Sequence, residues 1–256
     1  MKDNIANAFN KGHKGLVIYV TAGHPTMAES EKLIGEIIEA GADLIELGVP
    51  FSDPMADGPV IQESSQIALN NGATLPKITA MAARLRRKYD TPMILFSYYN
   101  VLLAKGFEET VKSCAEAGID GFLIVDLPQE EIMEAKPILD KYNLALVRLI
   151  APTTPPERAR QIVADADGFV YYITVRGVTG VRSSIAQDLK EHLTTLRQAS
   201  PVPVAAGFGI STPEQAKSSA EYADGAVVGS AVVRLISQGK QPEAVELVRS
   251  LAQALR

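Results

Sequence analysis

Two carboxylates within one stretch of the chain have the type and the spacing for acid–base chemistry. Residues 46–59 read ELGVPFSDPMADGP, so that an apolar run passes into a turn rich in proline and glycine. If residues 42–47 form a strand, Leu44, Glu46 and Gly48 share one face, because side chains alternate along a strand. Burial of Glu46 on that face would disfavour its charged form and suit it to proton transfer near neutral pH.

Asp57 lies in the loop that follows this strand, between Ala56 and Gly58. A glutamate on a rigid strand and an aspartate on a loop, both facing one site, would be two acids in different environments. Such pairs often divide the acid and base roles of a reaction. The plainer interpretation is structural, with a charged strand end followed by turn acids that cap the loop. The local pattern leaves both interpretations open.

The composition limits the class of protein. The 256 residues are 46% hydrophobic and 21% charged, which suits one large globular domain or two small ones. A formal net charge of −5 argues against a nucleic-acid partner, since such proteins usually carry a basic patch. The single cysteine, Cys114, excludes an internal disulfide and a cysteine-based metal site, and its spacing is that of a packed helix position.

The N-terminal residues are polar and no apolar segment follows them, so we expect no signal peptide. No run in the sequence approaches the roughly 18 apolar residues of a membrane-spanning helix. We therefore expect a cytoplasmic protein with no membrane partner.

Eight short apolar runs alternate with longer helical patterns along the chain. The predicted strands are residues 16–20, 43–47, 92–96, 121–125, 145–150, 168–174, 202–206 and 225–228. They are continuously apolar, as parallel strands covered on both faces should be. Eight strand–helix units in this length predict an α/β fold, a single (β/α)8 TIM-barrel domain over residues 1–256 with extra helices. The main rival is an open doubly wound sheet, but no dinucleotide-binding glycine motif follows the first strand.

The C-terminal ends of the strands and the loops after them form the active face of such a barrel. The residues predicted there are mostly apolar or aromatic with few acids, which favours a flat aromatic substrate. They are Tyr19, Thr21, Glu46, Asp57, Phe96, Tyr98, Leu123, Asp126, Ile150, Tyr171 and Tyr172.

Three glycine-rich segments follow the last three predicted strands, at residues 177–180, 207–211 and 229–231. Glycines let the backbone approach an anion, and the helices after Gly209 and Gly229 would offer N–H groups and a positive dipole end. Ser230 can add a hydroxyl. This is the usual phosphate-binding corner of such barrels. An ordinary turn into a helix remains the plainer interpretation of any one segment.

The loop at residues 175–183 is longer than most connections between a strand and a helix, so it is a candidate lid. Within it, Thr179 is a candidate hydrogen-bond partner for a carboxylate, and we interpret Arg176 and Arg182 as solvated charges. The three histidines are scattered and form no metal-binding cluster. The predicted strand interiors also lack a lysine for Schiff-base chemistry.

The motif ELGVPFSDP followed by ADGP resembles the signature of the tryptophan synthase α subunit family, and GVTG and GFGIS match its later marks. The resemblance runs nearly end to end. It implies a retro-aldol cleavage of indole-3-glycerol phosphate to indole and glyceraldehyde 3-phosphate, with Glu46 and Asp57 at the catalytic positions. Glu46 would give a proton to indole C3 and take one from the glycerol hydroxyl. Asp57 would accept the ring N–H and stabilise the positive charge that develops there.

The same resemblance implies a substrate-binding set of aromatic, apolar and phosphate-contacting residues. They are Tyr19, Phe96, Tyr98, Leu123, Ile150, Tyr171, Thr179, Gly180, Phe208, Gly209, Gly229 and Ser230. Three positions depart from the family pattern. His24 stands where many members carry Asp, and Phe96 and Tyr99 stand where smaller or aliphatic residues are common. These departures concern the pocket rather than the reaction.

The family also implies a partner, a β subunit that uses pyridoxal phosphate to join the released indole to serine, in an α2β2 complex. Pro50, Asp53 and Pro54 lie in the loop that the family uses at that contact. We expect no cofactor in this chain itself.

Two alternative functions remain. One is another phosphate-binding barrel of the same pathway, such as indole-glycerol-phosphate synthase or phosphoribosylanthranilate isomerase. The synthase family needs a catalytic lysine inside the barrel, and we find none in the predicted strands of this sequence. The other is a non-catalytic activator of a β subunit.

Overall fold

A computed structural model describes residues 1–173, 183–207 and 209–256, with the backbone alone at residues 183–189. Its strands are β1 Gly15–Thr21, β2 Leu44–Gly48, β3 Met93–Ser97, β4 Gly121–Ile124, β5 Ala145–Leu146, β6 Arg148–Ile150, β7 Val170–Ile173, β8 Val204–Gly207 and β9 Gly225–Val228. The α-helices are α1 Lys2–Ala8, α2 Met27–Glu39, α3 Pro59–Asn70, α4 Leu75–Arg86, α5 Tyr99–Leu103, α6 Phe107–Glu116, α7 Ile132–Lys141, α8 Pro156–Val163, α9 Ser183–Ala199, α10 Pro213–Ala220, α11 Ser230–Ser237 and α12 Gln241–Leu255. A 3-10 turn, Gln129–Glu131, leads into α7.

The sheet closes on itself through one broken strand. β1 pairs in parallel with β2 and with β9, and parallel pairing continues to β5 on one side and to β6 on the other. β5 and β6 are two pieces of a single predicted strand, separated only by Val147, whose N–H donates to the Phe122 carbonyl at 2.8 Å. The result is a nearly closed barrel of parallel strands surrounded by helices. The predicted (β/α)8 TIM barrel is confirmed, and the open doubly wound sheet is excluded. That residues 1–256 form a single domain stays a prediction.

The barrel interior is a packed apolar layer to which every strand contributes, either by its own residues or by a residue next to it. Its buried members include Val17, Leu44, Ile94, Leu123, Val147, Phe169, Ala205 and Val227. Helix α1 closes the N-terminal end of the barrel, because its Ile5 and Ala8 join this layer and the following Phe9 packs against the Phe169 ring at 5.4 Å. Helices α1 and α5 were not predicted, since seven and five residues are too few to establish a helical period.

At the N-terminal end of the barrel, four aspartates each link one strand to the strand before it by a hydrogen bond. Asp43 precedes β2 and accepts the N–H of Leu16 in β1 at 3.0 Å. The same bond recurs at every second barrel strand: Asp120 accepts from Met93, Asp167 from Leu146 and Asp224 from Val204. Each aspartate also forms an ion pair, with partners Lys11, Arg86, Lys136 and Arg197 respectively. These aspartates form the turn from helix to strand that the chain repeats.

Candidate active site

Glu46 lies at the C-terminal end of β2, where it faces the barrel interior. It stands in register with Tyr19 of β1 and is 1% exposed. Its Oε1 has no hydrogen-bond partner among the described residues. Burial disfavours the carboxylate form and raises the pKa of Glu46 to about 8. A carboxyl group in this setting is mostly protonated at neutral pH.

Asp57 lies in the loop between β2 and α3, and this loop is held by several hydrogen bonds. The Asp57 N–H donates to the Pro54 carbonyl at 3.0 Å, and its own carbonyl accepts from Gln62 Nε2 at 2.9 Å. Tyr98 contacts the same loop, because its hydroxyl accepts the Ala56 N–H at 3.0 Å.

The Asp57 carboxylate is half-buried and differs from Glu46 in having a hydrogen-bond donor. Burial raises the pKa of Asp57 to about 6, and the hydrogen bond from the Tyr98 hydroxyl limits the rise. The pKa of Tyr98 rises to about 12, through burial and through the nearby Asp57 charge. At neutral pH, Asp57 is therefore mainly ionised while Glu46 is mainly neutral.

The charges of the two acids act on two buried tyrosines, and Tyr19 is affected by both. Burial raises the pKa of Tyr19, and the negative charges of both Asp57 and Glu46 raise it further. Burial likewise raises the pKa of Tyr171, with a contribution from Glu46 alone. Both acids thus act on Tyr19, so the strand acid and the loop acid lie at the same end of the barrel.

The position of the Tyr19 side chain requires glycine at two neighbouring positions. A Cβ atom at Gly48 would lie 2.1 Å from the Tyr19 hydroxyl oxygen, and one at Gly229 would lie 3.1 Å from the Tyr19 Cβ. The Tyr19 ring meets Phe96 edge-to-face, with centroids 5.1 Å apart. Gly48 was not predicted to have a role. Its only signal was its position two residues after Glu46 on the same face of the strand.

The apolar walls differ in part from the predicted ones. Leu123 lies inside the barrel in register with Phe96, as expected for a residue beneath the site. Ile150 packs instead in the outer layer with Val163 and Tyr172 of the described chain. The prediction of Ile150 as a pocket wall is therefore corrected, because the neighbouring Leu149 is the residue that packs against the barrel interior.

Val125 and Tyr171 pack against the same interior layer as Leu149. Tyr171 was predicted at the site, whereas Val125 and Leu149 were missed. A continuously apolar run does not show which of two alternating faces points inward, so the sequence carried no signal for them.

Of the three departures from the family pattern, only Phe96 reaches the pocket. Tyr99 begins α5 and packs against Phe107 at 5.3 Å. His24 is 3% exposed, with its Nε2 3.0 Å from the Ser237 hydroxyl, and burial lowers its pKa. His24 is thus a packed residue that connects the loop after β1 to the end of α11.

The predicted phosphate corner is described in part. Gly229 precedes α11, and in the described structure no side-chain cap covers this helix N-terminus. Ser230 is its first residue and is half-buried. The first N–H groups of a helix have no partner within the helix, so those of α11 can meet an anion. Gly209 is exposed, with a φ of 74° that favours glycine.

Several predicted residues lie outside the described ranges. They are Thr179, Gly180 and Phe208, with Arg176, Arg182 and the rest of the candidate lid up to residue 182.

The loop predicted to contact a partner has an exposed tip. Asp53 is exposed and accepts a hydrogen bond from the Ser52 hydroxyl, and Met55 is 87% exposed. Pro54 is half-buried, whereas Pro50 is buried within the chain itself. A contact through this loop would therefore fall on residues 52–55 rather than on Pro50.

Within residues 1–173, 183–207 and 209–256 no cluster of three or more potential metal ligands occurs. None of the described helices combines the length and the hydrophobicity needed to cross a membrane.

Active sites of TIM-barrel enzymes lie at the C-terminal ends of the strands, which is where Glu46 and Asp57 lie with raised pKa values. Fold and site together are those of a (β/α)8-barrel enzyme with two carboxyl groups of raised pKa at its active end.

Comparisons with known proteins give the family. Residues 5–255 match the family model described as tryptophan synthase alpha chain. The chain is 46% identical over 256 residues to a tryptophan synthase alpha chain of Geobacter sp. (strain M21), covering all of this chain and 96% of that one. It also matches the solved tryptophan synthase subunit alpha of Legionella pneumophila str. Paris, with a TM-score of 0.89, 33% identity and 98% of each chain covered. A tryptophan synthase structure from M. tuberculosis, in an aminoacrylate-bound form, matches with a TM-score of 0.89 at 28% identity over 99% of each chain. The chain belongs to the tryptophan synthase alpha chain family, lyases that cleave indole-3-glycerol phosphate in tryptophan biosynthesis.

Proposed function

We propose that this chain performs the α reaction with Glu46 as the general acid and base. The observation that carries the proposal is the burial of Glu46 at the active end of the barrel, with an Oε1 that no described residue hydrogen-bonds and a pKa of about 8. A protonated Glu46 delivers its proton to indole C3. The resulting carboxylate then takes the proton of the adjacent glycerol hydroxyl as the C–C bond breaks. The bonding electrons return to the indole ring, a carbonyl forms on the glycerol fragment, and Glu46 is protonated again.

Asp57 has the complementary role. With a pKa near 6 it is ionised at the pH at which Glu46 is still protonated. Protonation of C3 places positive charge on the indole nitrogen, and an ionised Asp57 that accepts the ring N–H stabilises that charge. The different environments of the two acids thus support different roles in one step.

The remaining residues hold the substrate. Tyr19, Phe96, Leu123 and Tyr171 would enclose the indole, while Gly229, Ser230 and the α11 N-terminus would bind the phosphate. Tyr98 positions the Asp57 carboxylate. Phosphate binding far from the reacting bond provides positioning. Roles for Thr179, Gly180, Phe208 and Gly209 stay predictions.

The two acids can be tested by isosteric substitution. We expect Glu46→Gln and Asp57→Asn each to abolish indole release, because the first removes the transferable proton and the second the stabilising charge. Both variants should still bind glycerol 3-phosphate, measured by calorimetry. Asp53→Asn is the matched control, since Asp53 is an exposed acid of the same loop as Asp57. Turnover near the wild-type rate in either acid variant contradicts the assignment.

The partner follows from the family. We propose that the chain pairs with a β subunit in an α2β2 complex through the exposed loop tip around Asp53 and Met55. Pyridoxal phosphate would then belong to that partner alone, and the complex would be cytoplasmic. Indole production should be measured for the isolated chain and again after addition of a β subunit. Stimulation by the β subunit supports pairing. No indole in either case would favour the non-catalytic activator instead.

A further inference from the structure

A cavity of about 390 Å³ lies beside the broken barrel strand, between the 3-10 turn before α7 and helix α8. The pairing of β4 with β5 ends at the pair Phe122 and Leu146. Beyond it, in the part of the chain that the structure describes, β6 pairs with β7 but not with β4. The cavity occupies this gap in the barrel wall.

Arg148, the first residue of β6, lines the cavity and is a buried cation. It is 6% exposed, and its one hydrogen bond among the described residues goes to Gln129 Oε1. No carboxylate of residues 1–173, 183–207 or 209–256 forms an ion pair with it, and Asp167 is already held by Lys2 and Lys136. Arginine stays protonated in proteins, and the two carboxylates whose charge reaches it, Asp165 and Asp167, form no ion pair with the guanidinium. Among the described residues this buried positive charge therefore has no direct counter-ion.

The polar groups next to Arg148 can also donate hydrogen bonds. The Gln129 amide oxygen accepts from the guanidinium, which leaves its NH2 group available as a donor. The Thr154 hydroxyl oxygen accepts the Ala151 N–H at 3.2 Å and retains its own proton for donation. Donors around a cation favour an anionic ligand.

The rest of the lining limits the size and charge of that ligand. The apolar part of the wall consists of Ile124, Leu127, Leu146 and Ile162. At the mouth, Arg158 is neutralised by an ion pair with Glu130. One positive charge with no direct counter-ion among the described residues, beside an apolar wall, suits a single negative charge on an apolar body.

We propose that this cavity binds a small monocarboxylate with an apolar body, its carboxylate on the Arg148 guanidinium and its body against Ile124 and Ile162. The site is separate from the catalytic pocket, because Val125 and Leu149 stand between them, lining the cavity and packing against the barrel interior. This binding does not rest on the lyase reaction.

The test titrates the isolated chain with phenylacetate by calorimetry, while the methyl resonances of labelled isoleucines are followed by NMR. We expect one bound phenylacetate per chain and shifts of the Ile124 and Ile162 methyl groups. Neutral phenylacetamide should bind at least about tenfold more weakly, the loss expected for a hydrogen bond to a charged group. Arg148→Met should weaken phenylacetate binding to the same extent. The control Arg160→Met, at an exposed arginine of α8, should leave it within about twofold, as a solvent-screened charge predicts.

Four outcomes would overturn the proposal. They are equal binding of the acid and the amide, tighter binding of inorganic phosphate than of phenylacetate, shifts confined to Ile94 inside the barrel, and unchanged affinity in Arg148→Met. The acid–amide comparison and the methyl shifts use the wild-type chain, so they decide the question even if Arg148→Met folds poorly. Glu46→Gln should bind phenylacetate like the wild type, which separates this test from the test of the lyase assignment.

Discussion

At the scale of single residues, the site depends on two carboxyl groups with different surroundings. Glu46 is enclosed by apolar and aromatic side chains, with Oε1 lacking a donor among the described residues, whereas Asp57 receives the Tyr98 hydroxyl. The sequence indicated both acids and their separate settings. It could not indicate how Tyr98 holds Asp57, because that contact joins residues 41 positions apart.

The buried Glu46 should cost the protein stability, and the cost should depend on pH. Its pKa is about 4.5 unfolded and about 8 folded. The folded state therefore binds the proton more tightly, and its stability relative to a neutral side chain falls as pH rises from 4.5 towards 8. We expect Glu46→Gln to raise the free energy of unfolding by about 3 kcal/mol at pH 7, since pH 7 lies about 2.5 units above the unfolded pKa and each unit corresponds to about 1.4 kcal/mol.

Urea unfolding of the wild type and Glu46→Gln at pH 5 and pH 8 measures this effect. The difference between the two proteins should be small at pH 5 and larger at pH 8. A difference that is equal at the two pH values, or that reverses, would show that the folded protein does not raise the pKa of Glu46.

At the scale of elements, apolar runs located the boundaries of the barrel strands to within two residues. They did not show that the predicted strand at residues 145–150 breaks at Val147, nor that Leu149 rather than Ile150 faces inward. Both depend on how the strand meets β4 and β7, and pairing partners are not encoded in a local run of apolar residues. The packing of β1 on β2 has a similar non-local cause, since Gly48 is fixed by the Tyr19 ring.

This packing can be tested with matched glycine substitutions. Gly48→Ala places a methyl group on the Tyr19 hydroxyl, so the ring must move. We expect kcat/KM for indole-3-glycerol phosphate to fall about tenfold or more and stability to fall by about 1–3 kcal/mol. Gly58→Ala is the control, because a Cβ atom there meets nothing within 4 Å and the φ of −74° suits alanine. Similar losses in the two variants would refute the requirement for space beside Tyr19.

At the scale of the whole molecule, carboxyl side chains have different roles at the two ends of the barrel. The aspartates at the N-terminal ends of the strands are paired with cations, whereas Glu46 at the other end has no such partner in the described chain. The similar segments AGAD at residues 40–43, AGID at 117–120 and ADGA at 223–226 lead into the second, fourth and eighth predicted strands, and they indicate three of the four aspartate turns. The fourth, at Asp167, was missed, although residues 166–168 carry the same Ala-Asp-Gly sequence as residues 223–225.

Asp120 offers a test of these anchors. It is 1% exposed and accepts from Met93 N–H, Asn4 and Arg86. We expect Asp120→Ala to lower the free energy of unfolding by about 3–5 kcal/mol, because it leaves buried donors and a cation unpaired. Glu31→Ala, which removes the exposed ion pair with Arg84, should cost less than about 1 kcal/mol. Equal costs in urea unfolding would show that the anchors act only as surface charges.

The spacing of these aspartates has a consequence for how the chain can be cut and rejoined. Each aspartate accepts a hydrogen bond from the barrel strand before its own, so the barrel divides into four β–α–β modules. They are β1 with β2, β3 with β4, β5 and β6 with β7, and β8 with β9. A circular permutant opened between modules, for example at residues 71–74 between α3 and α4, keeps all four bonds within continuous segments. One opened inside a module, between Asp43 and β1, turns a local bond into a contact between the two ends of the chain.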